Sequence, residues 1–449
     1  MDKNKKLIFV SSGVLVFIVI IFVVFVNQNS ILITQNNTST GTQDRWFGSW
    51  WPWGMWFWWS QTVENGTSAN TISESWTYWE TYISSWDDEN ALRVTSWIVV
   101  LDWVTIEKLS WKTSNTENWD FYGSNAWLLV SSWAHVTISN SNVTTDAQNW
   151  NWIFSYWGWT VVTINNTKIT TKKDNSWGIQ TTWGWITYAS NLIVETSGNS
   201  SAAIRSDRGG WTVVVDWWTY TSNGSGSPAI YSTADIKVSN AILSANWSEA
   251  VVVEWKNSVS LTDVNLTWNM QWTYKDDSEN IHNVMIYQSM SWDASVGTAS
   301  FSVKWWSITA LQWDMFYITN TSCNISLEDV NMTLANQNLF TISWNSSSRE
   351  WWTQGANGWK VLLKTVKQTM NWYILVDEIS GLNMSMTDWS NFVWAINKDN
   401  DGWDVSLTID DSSSWTLTAD SYVTELNVSN AKNINTAWFT LYVNWKAWN

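Results

Sequence analysis

The chain has 449 residues, a formal net charge of −16 and only 14% charged residues. An acidic chain without a basic stripe excludes nucleic acid as a partner and disfavours anionic lipid headgroups. A lone cysteine, Cys323, excludes an intrachain disulfide and reads as a small buried residue.

Lys3, Lys5 and Lys6 form a basic stub over residues 1–6, ahead of an apolar run over residues 7–26. Such a run is long enough to span a bilayer as a helix, and positive charge before it places the rest of the chain outside the cell. No small-residue cleavage pattern ends the run, so a retained signal anchor is expected, with secretion after cleavage as the alternative. Residues 27–75 lack lasting periodicity and read as a low-complexity tether.

From residue 76 onward short alternating strands recur at 136–138, 162–164, 213–215, 236–238, 259–261, 301–303 and 325–327. Their third residues are spaced by about two dozen, and the longer interval between 164 and 215 halves near Tyr188. Many of these strands are followed by an Asn- or Asp-centred bend and a second short strand. A repeat of that length without a helical pattern predicts a solenoid, specifically a right-handed parallel β-helix over residues 76–380. Stacked Asn side chains at the bends are expected to form ladders between coils. Residues 268–279 read as a charged insertion. The pattern shortens over 381–449, which reads as terminal coils and a cap.

Tryptophan is the compositional outlier, with 46 residues against 19 glycines and 2 prolines. Ordinary soluble domains carry about 7% glycine. Trp103 and Trp217 follow Asp, Trp445 follows Asn444, and Trp157, Trp159, Trp183 and Trp185 fall between β-rich runs. Asn-Gly and Asp-Gly normally occupy such places, because the turn needs a positive φ that a Cβ opposes. Most of these tryptophans are therefore read as glycines encoded by UGA and translated with the wrong table. A genuinely aromatic-rich binding protein is the alternative.

With tryptophan read as glycine, several stretches are similar to a bacterial family of secreted β-helix proteins, the pectate-lyase-like or carbohydrate-binding-domain-containing adhesins. They are Glu89-Asn90-Ala91-Leu92, residues 120–126, residues 196–210 and Ser227-Pro228-Ala229-Ile230-Tyr231-Ser232, together with residues 420–424. The resemblance spans about residues 76–449. It implies the β-helix fold and a surface location, and brings no catalytic residues with it.

Candidate ligand-binding residues are few. Arg205, Asp207 and Arg208 are the one compact charged group, and 205 and 207 share a face in an alternating strand, so they are placed to pair or to grip a uronate. Asp216, Glu249 and Glu254 are candidates for carboxylates on adjacent coils, the arrangement a glycosidase needs. His135 and His282 are far apart in sequence and lack Cys/His partners, so no metal site is expected. The expected function is membrane-tethered adhesion or surface-polysaccharide binding, without catalysis and without a cofactor. The alternative is a polysaccharide lyase or glycoside hydrolase acting on acidic glycans, in which Ca²⁺ would be expected. Carboxylates lining a cleft would favour the enzyme, and a face of Ser, Thr and Asn would favour binding.

Overall fold

The computed structural model describes residues 65–448, except 110–112, 114, 116–117, 119–120, 147–152, 157–158, 183–185, 208, 210–211, 271–281, 289–296 and 345–359. The span read over 7–26, most of the tether, most of the insertion, Arg208, Trp157, Trp183 and Trp185 lie outside the described residues. Among the described residues no helix is long and apolar enough to cross a membrane.

The described chain is all-β and built from long parallel sheets. A 19-stranded sheet and a 12-stranded sheet contain most of the strands, with smaller sheets near the ends. The arrangement fits a parallel β-helix, with the sheets left open at their edges. Up to the strand Tyr373–Val376, most coils add a strand or two to the long sheet and one to the short-strand sheet. Pairing begins at Thr67–Ser68 and Thr71–Ile72, ahead of the boundary read at residue 76.

The sequence repeat corresponds to a column of core residues. Leu101, Ile138, Ile164, Ala189, Val215, Val238, Leu261, Val303 and Leu327 pair in register along the long sheet. All are buried. Ala189, next to Tyr188, holds the core position of the intermediate coil, and Tyr188 faces outward. The one-residue difference matters because side chains alternate faces along a strand. Cys323 is buried in the same core, and burial pushes its thiol pKa up, as suits an inert small side chain.

Ten successive coils bend between two strand segments, and the bend residue of each is left-handed. The residues after Asp102, Ser139, Asn165, Ser190, Asp216, Ser239, Thr262, Lys304, Glu328 and Val366 form the column, since these ten pair in register. That column reads Trp103, Asn140, Asn166, Asn191, Trp217, Asn240, Asp263, Trp305, Asp329 and Lys367, and every member has a φ between 45° and 62°. Asn and Asp tolerate this region because their short side chains bond locally. Here they also bond between coils: Asn140 donates to Asp102 (2.8 Å), Asn166 to Asn140 (2.6 Å) and Asn191 to Asn166 (3.1 Å). The expected asparagine ladder is present.

Candidate functional site

Two outward faces hold chemically useful side chains. On the short-strand sheet, alternation sends Ile204, Ile230, Val251 and Val253 into the core, and their neighbours to the other face. Arg205, Tyr231, Val252, Met285 and Tyr317 pair in register across five strands of that other face. These residues are also buried, and most of them form a second apolar cluster with Trp177 and Tyr287.

Ionisable groups are set into this cluster. Arg205 forms an ion pair with Asp207, two residues along the same strand Ile204–Asp207, as the alternation predicts. The Arg205 guanidinium lies 3.6 Å from the Trp177 ring centroid and 5.9 Å from that of Tyr231. Tyr231 donates from its hydroxyl to Glu254 Oε2 (2.5 Å), two coils on from Asp207. Glu249 Oε1 lies 3.5 Å from His282 Nε2, and Glu249 Oε2 accepts from Ser248 (2.7 Å). Burial alone would raise the Glu249 carboxyl, but its contacts with His282 and Ser248 outweigh it and hold the group down at about 2. Burial has the upper hand at Asp314 and raises its pKa, against bonds from Thr341 (2.5 Å) and Asn336 (3.0 Å).

The structure thus sets four of the sequence candidates along one sheet, Arg205 and Asp207 on one coil and Glu249 and Glu254 two coils on, Glu249 just ahead of the strand Val251–Glu254. Asp216 does not join them. It lies in the long sheet at the bend, where it accepts from Ser239 and Asn240, both at 2.7 Å. Strand register separates these positions, and register is invisible in a single chain. Tyr231, His282 and Asp314 were not singled out as site residues by sequence. The signal available for Tyr231 was its two-residue offset from Ala229, which continues the alternation seen at Arg205 and Ala203.

Among the described residues these carboxylates line no open cleft. Asp207, Glu249, Glu254 and Asp314 are each under 9% exposed and each is bonded to a neighbour. Among the described residues no group of three or more His, Cys, Asp or Glu is placed to hold a metal ion.

The second face is the outer side of the long sheet, and it is accessible. Thr144, Thr170, Glu195, Thr221, Ser244, Thr267, Thr309 and Thr333 pair in register across eight successive coils. All eight are partly or fully exposed. A second outward column runs through Ser260, Ser302 and Ser326, and Ser302 donates to Ser260 (3.0 Å). Strand pairing repeats these side chains every ~4.8 Å along the stacking direction, hydroxyls at every place but Glu195. Each hydroxyl both donates and accepts, so the columns form a regular array of adaptable hydrogen-bonding groups.

No protein-family model matches the chain, and neither a curated protein nor a solved structure gives a match.

Proposed function

We propose that the chain is a membrane-tethered, extracellular, right-handed parallel β-helix that holds surface polysaccharides on the outer face of its long sheet. The observation that carries this is the column from Thr144 to Thr333, threonine or serine at every place but Glu195. An extended polysaccharide laid along the stacking direction presents hydroxyls at a spacing comparable with the strand repeat. Many weak, similar contacts then add along the polymer. A tether holding several copies on one surface raises the effective concentration further. The apolar run at 7–26 after a basic stub supports the membrane attachment, and the sequence resemblance to secreted β-helix adhesins supports the surface location.

The full chain, solubilised in detergent, is tested against a panel of immobilised neutral and acidic polysaccharides, beside a variant carrying Thr221→Lys, Thr267→Lys and Thr309→Lys. Binding to at least one polymer, weakened at least tenfold in the variant, is the expected result. Binding unchanged by the triple substitution, or absent from the whole panel, overturns the assignment of this face.

The carboxylates gathered at Asp207, Glu249, Glu254 and Asp314 favour a second reading, a lyase or hydrolase for acidic glycans. It requires the buried face to admit substrate. Release of unsaturated uronate ends or new reducing ends from a uronate polymer, with and without added Ca²⁺, decides it.

A further inference from the structure

We infer that positions 103, 217, 218, 305, 306 and 445 are glycine in the protein as its own cells make it, whereas Trp415 is a true tryptophan. Three independent geometries carry the first half. The bend column contains seven residues that are Asn, Asp or Lys, and three tryptophans, Trp103, Trp217 and Trp305, at φ of 56°, 59° and 62°. An indole has no local hydrogen bond with which to offset the left-handed clash of its Cβ. Glycine has no clash to offset.

The next position along the same bends is a core position. Leu192 and Ala241 flank Trp218 in register, and Val264 flanks Trp306. Leu192, Ala241 and Val264 are at most 3% exposed, but Trp218 is 47% and Trp306 59% exposed. The bore that accepts alanine, valine and leucine turns the indole out into water, and Trp306 takes a φ of 70° as well. Glycine leaves the bend free of both conflicts.

The third geometry is a hairpin. The strands Leu441–Val443 and Lys446–Ala447 are antiparallel, with Val443 opposite Lys446. The loop between them is Asn444-Trp445, with φ of 47° and 59°. Two residues, both left-handed, make the type I′ turn for which Asn-Gly is the strongly preferred sequence.

Trp415 is different. Its register neighbours are Phe392 and Ile434, both large and apolar. Trp415 is fully buried, its ring stacks on Phe392 with centroids 6.2 Å apart, and its Nε1 donates to the Trp394 carbonyl (3.0 Å). A glycine there would leave a void in an otherwise filled column.

A single codon class accounts for the contrast: UGA read as glycine by the native cells at the six positions, and UGG at 415. The inference uses no residue of the proposed glycan face, so either can fail without the other. The test is tandem mass spectrometry of the protein purified from its own cells. Tryptic peptides ending at Lys108, Lys237, Lys446 and Lys432 cover positions 103, 217 with 218, 445 and 415. Glycine at the first four and tryptophan at 415 is the expected result. Tryptophan at 103, 217 and 445 overturns the inference, and glycine at 415 overturns its second half. A recombinant chain with glycine written at the six positions should also melt higher than one with tryptophan written there. An equal or lower melting temperature counts against it.

Discussion

Glu249 and His282 sit on successive coils and meet inside the protein, Oε1 to Nε2 at 3.5 Å, with neither side chain more than 7% exposed. The strand pairing of Val251 with Val284 brings them together, although 33 positions separate them in the chain. The contact dictates an acid dependence. The Glu249 carboxyl is held at about 2 in the folded chain, against about 4.3 in an unfolded one. A depressed carboxylate contributes stability that is present above the unfolded value and is lost as pH falls toward the folded one. Stability should therefore fall as pH drops from about 5 toward 2 on this account. Glu249→Gln should flatten that portion of the profile, as read from denaturation midpoints across the range.

Arg205 and Asp207 illustrate the opposite risk of burying charge. Asp207 is fully buried, so deleting Arg205 removes the opposite charge its carboxylate faces beside the second apolar cluster. Arg205→Met alone should destabilise by about 3–5 kcal/mol, as should Asp207→Leu alone. The double variant should recover most of the loss, because two matched apolar residues need no ion pair. Thermal melting of the three variants checks this, and additivity of the single effects would argue against a coupled pair.

Lys108 is an inward-facing cation whose Nζ donates to Ser84 (2.8 Å) and to the Trp86 carbonyl (2.5 Å). Burial lowers it to about 8, against the nearby acidic charges of Glu89, Asp87 and Asp88. A base with a lowered folded pKa favours the neutral form, so stability should rise as pH climbs from 8 toward 10.5. Lys108→Met should remove that slope and stabilise the chain by about 1–3 kcal/mol at pH 7.

The hairpin at Asn444-Trp445 gives the cleanest local measurement. In a recombinant chain written with tryptophan, Trp445→Gly should stabilise the terminal turn by about 1 kcal/mol. Trp415→Gly should do the reverse, costing about 3–5 kcal/mol for the emptied core position. Hydrogen exchange at the Val443 and Lys446 amides reports the first, and the melting temperature reports the second.

Much of the fold was legible in the chain. Valine, isoleucine and leucine at alternate positions, repeated every two dozen residues, leave stacking as the one way to bury so many short apolar faces. The Asn and Asp residues after those runs marked the bends for the same reason they ladder: they accept left-handed backbone and bond to the coil beside them. The spacing located the intermediate coil only to the neighbourhood of Tyr188, and a one-residue shift, to Ala189, changes face without changing composition. The candidate site was legible only in part. Arg205 and Asp207 lie two residues apart on one strand, and alternation alone puts them together.

Local chemistry in the sequence determined the strands, the bends, the repeat and the Arg205–Asp207 pair, since each depends on residues within a few positions. Tertiary structure alone decided that Glu249 meets His282, that Tyr231 bonds Glu254, and that Asp216 stands apart from both. It also aligned Thr144 through Thr333 in one exposed column. These depend on how many residues each coil spends before returning to register, and that length is set by packing across coils, which no single stretch of chain contains.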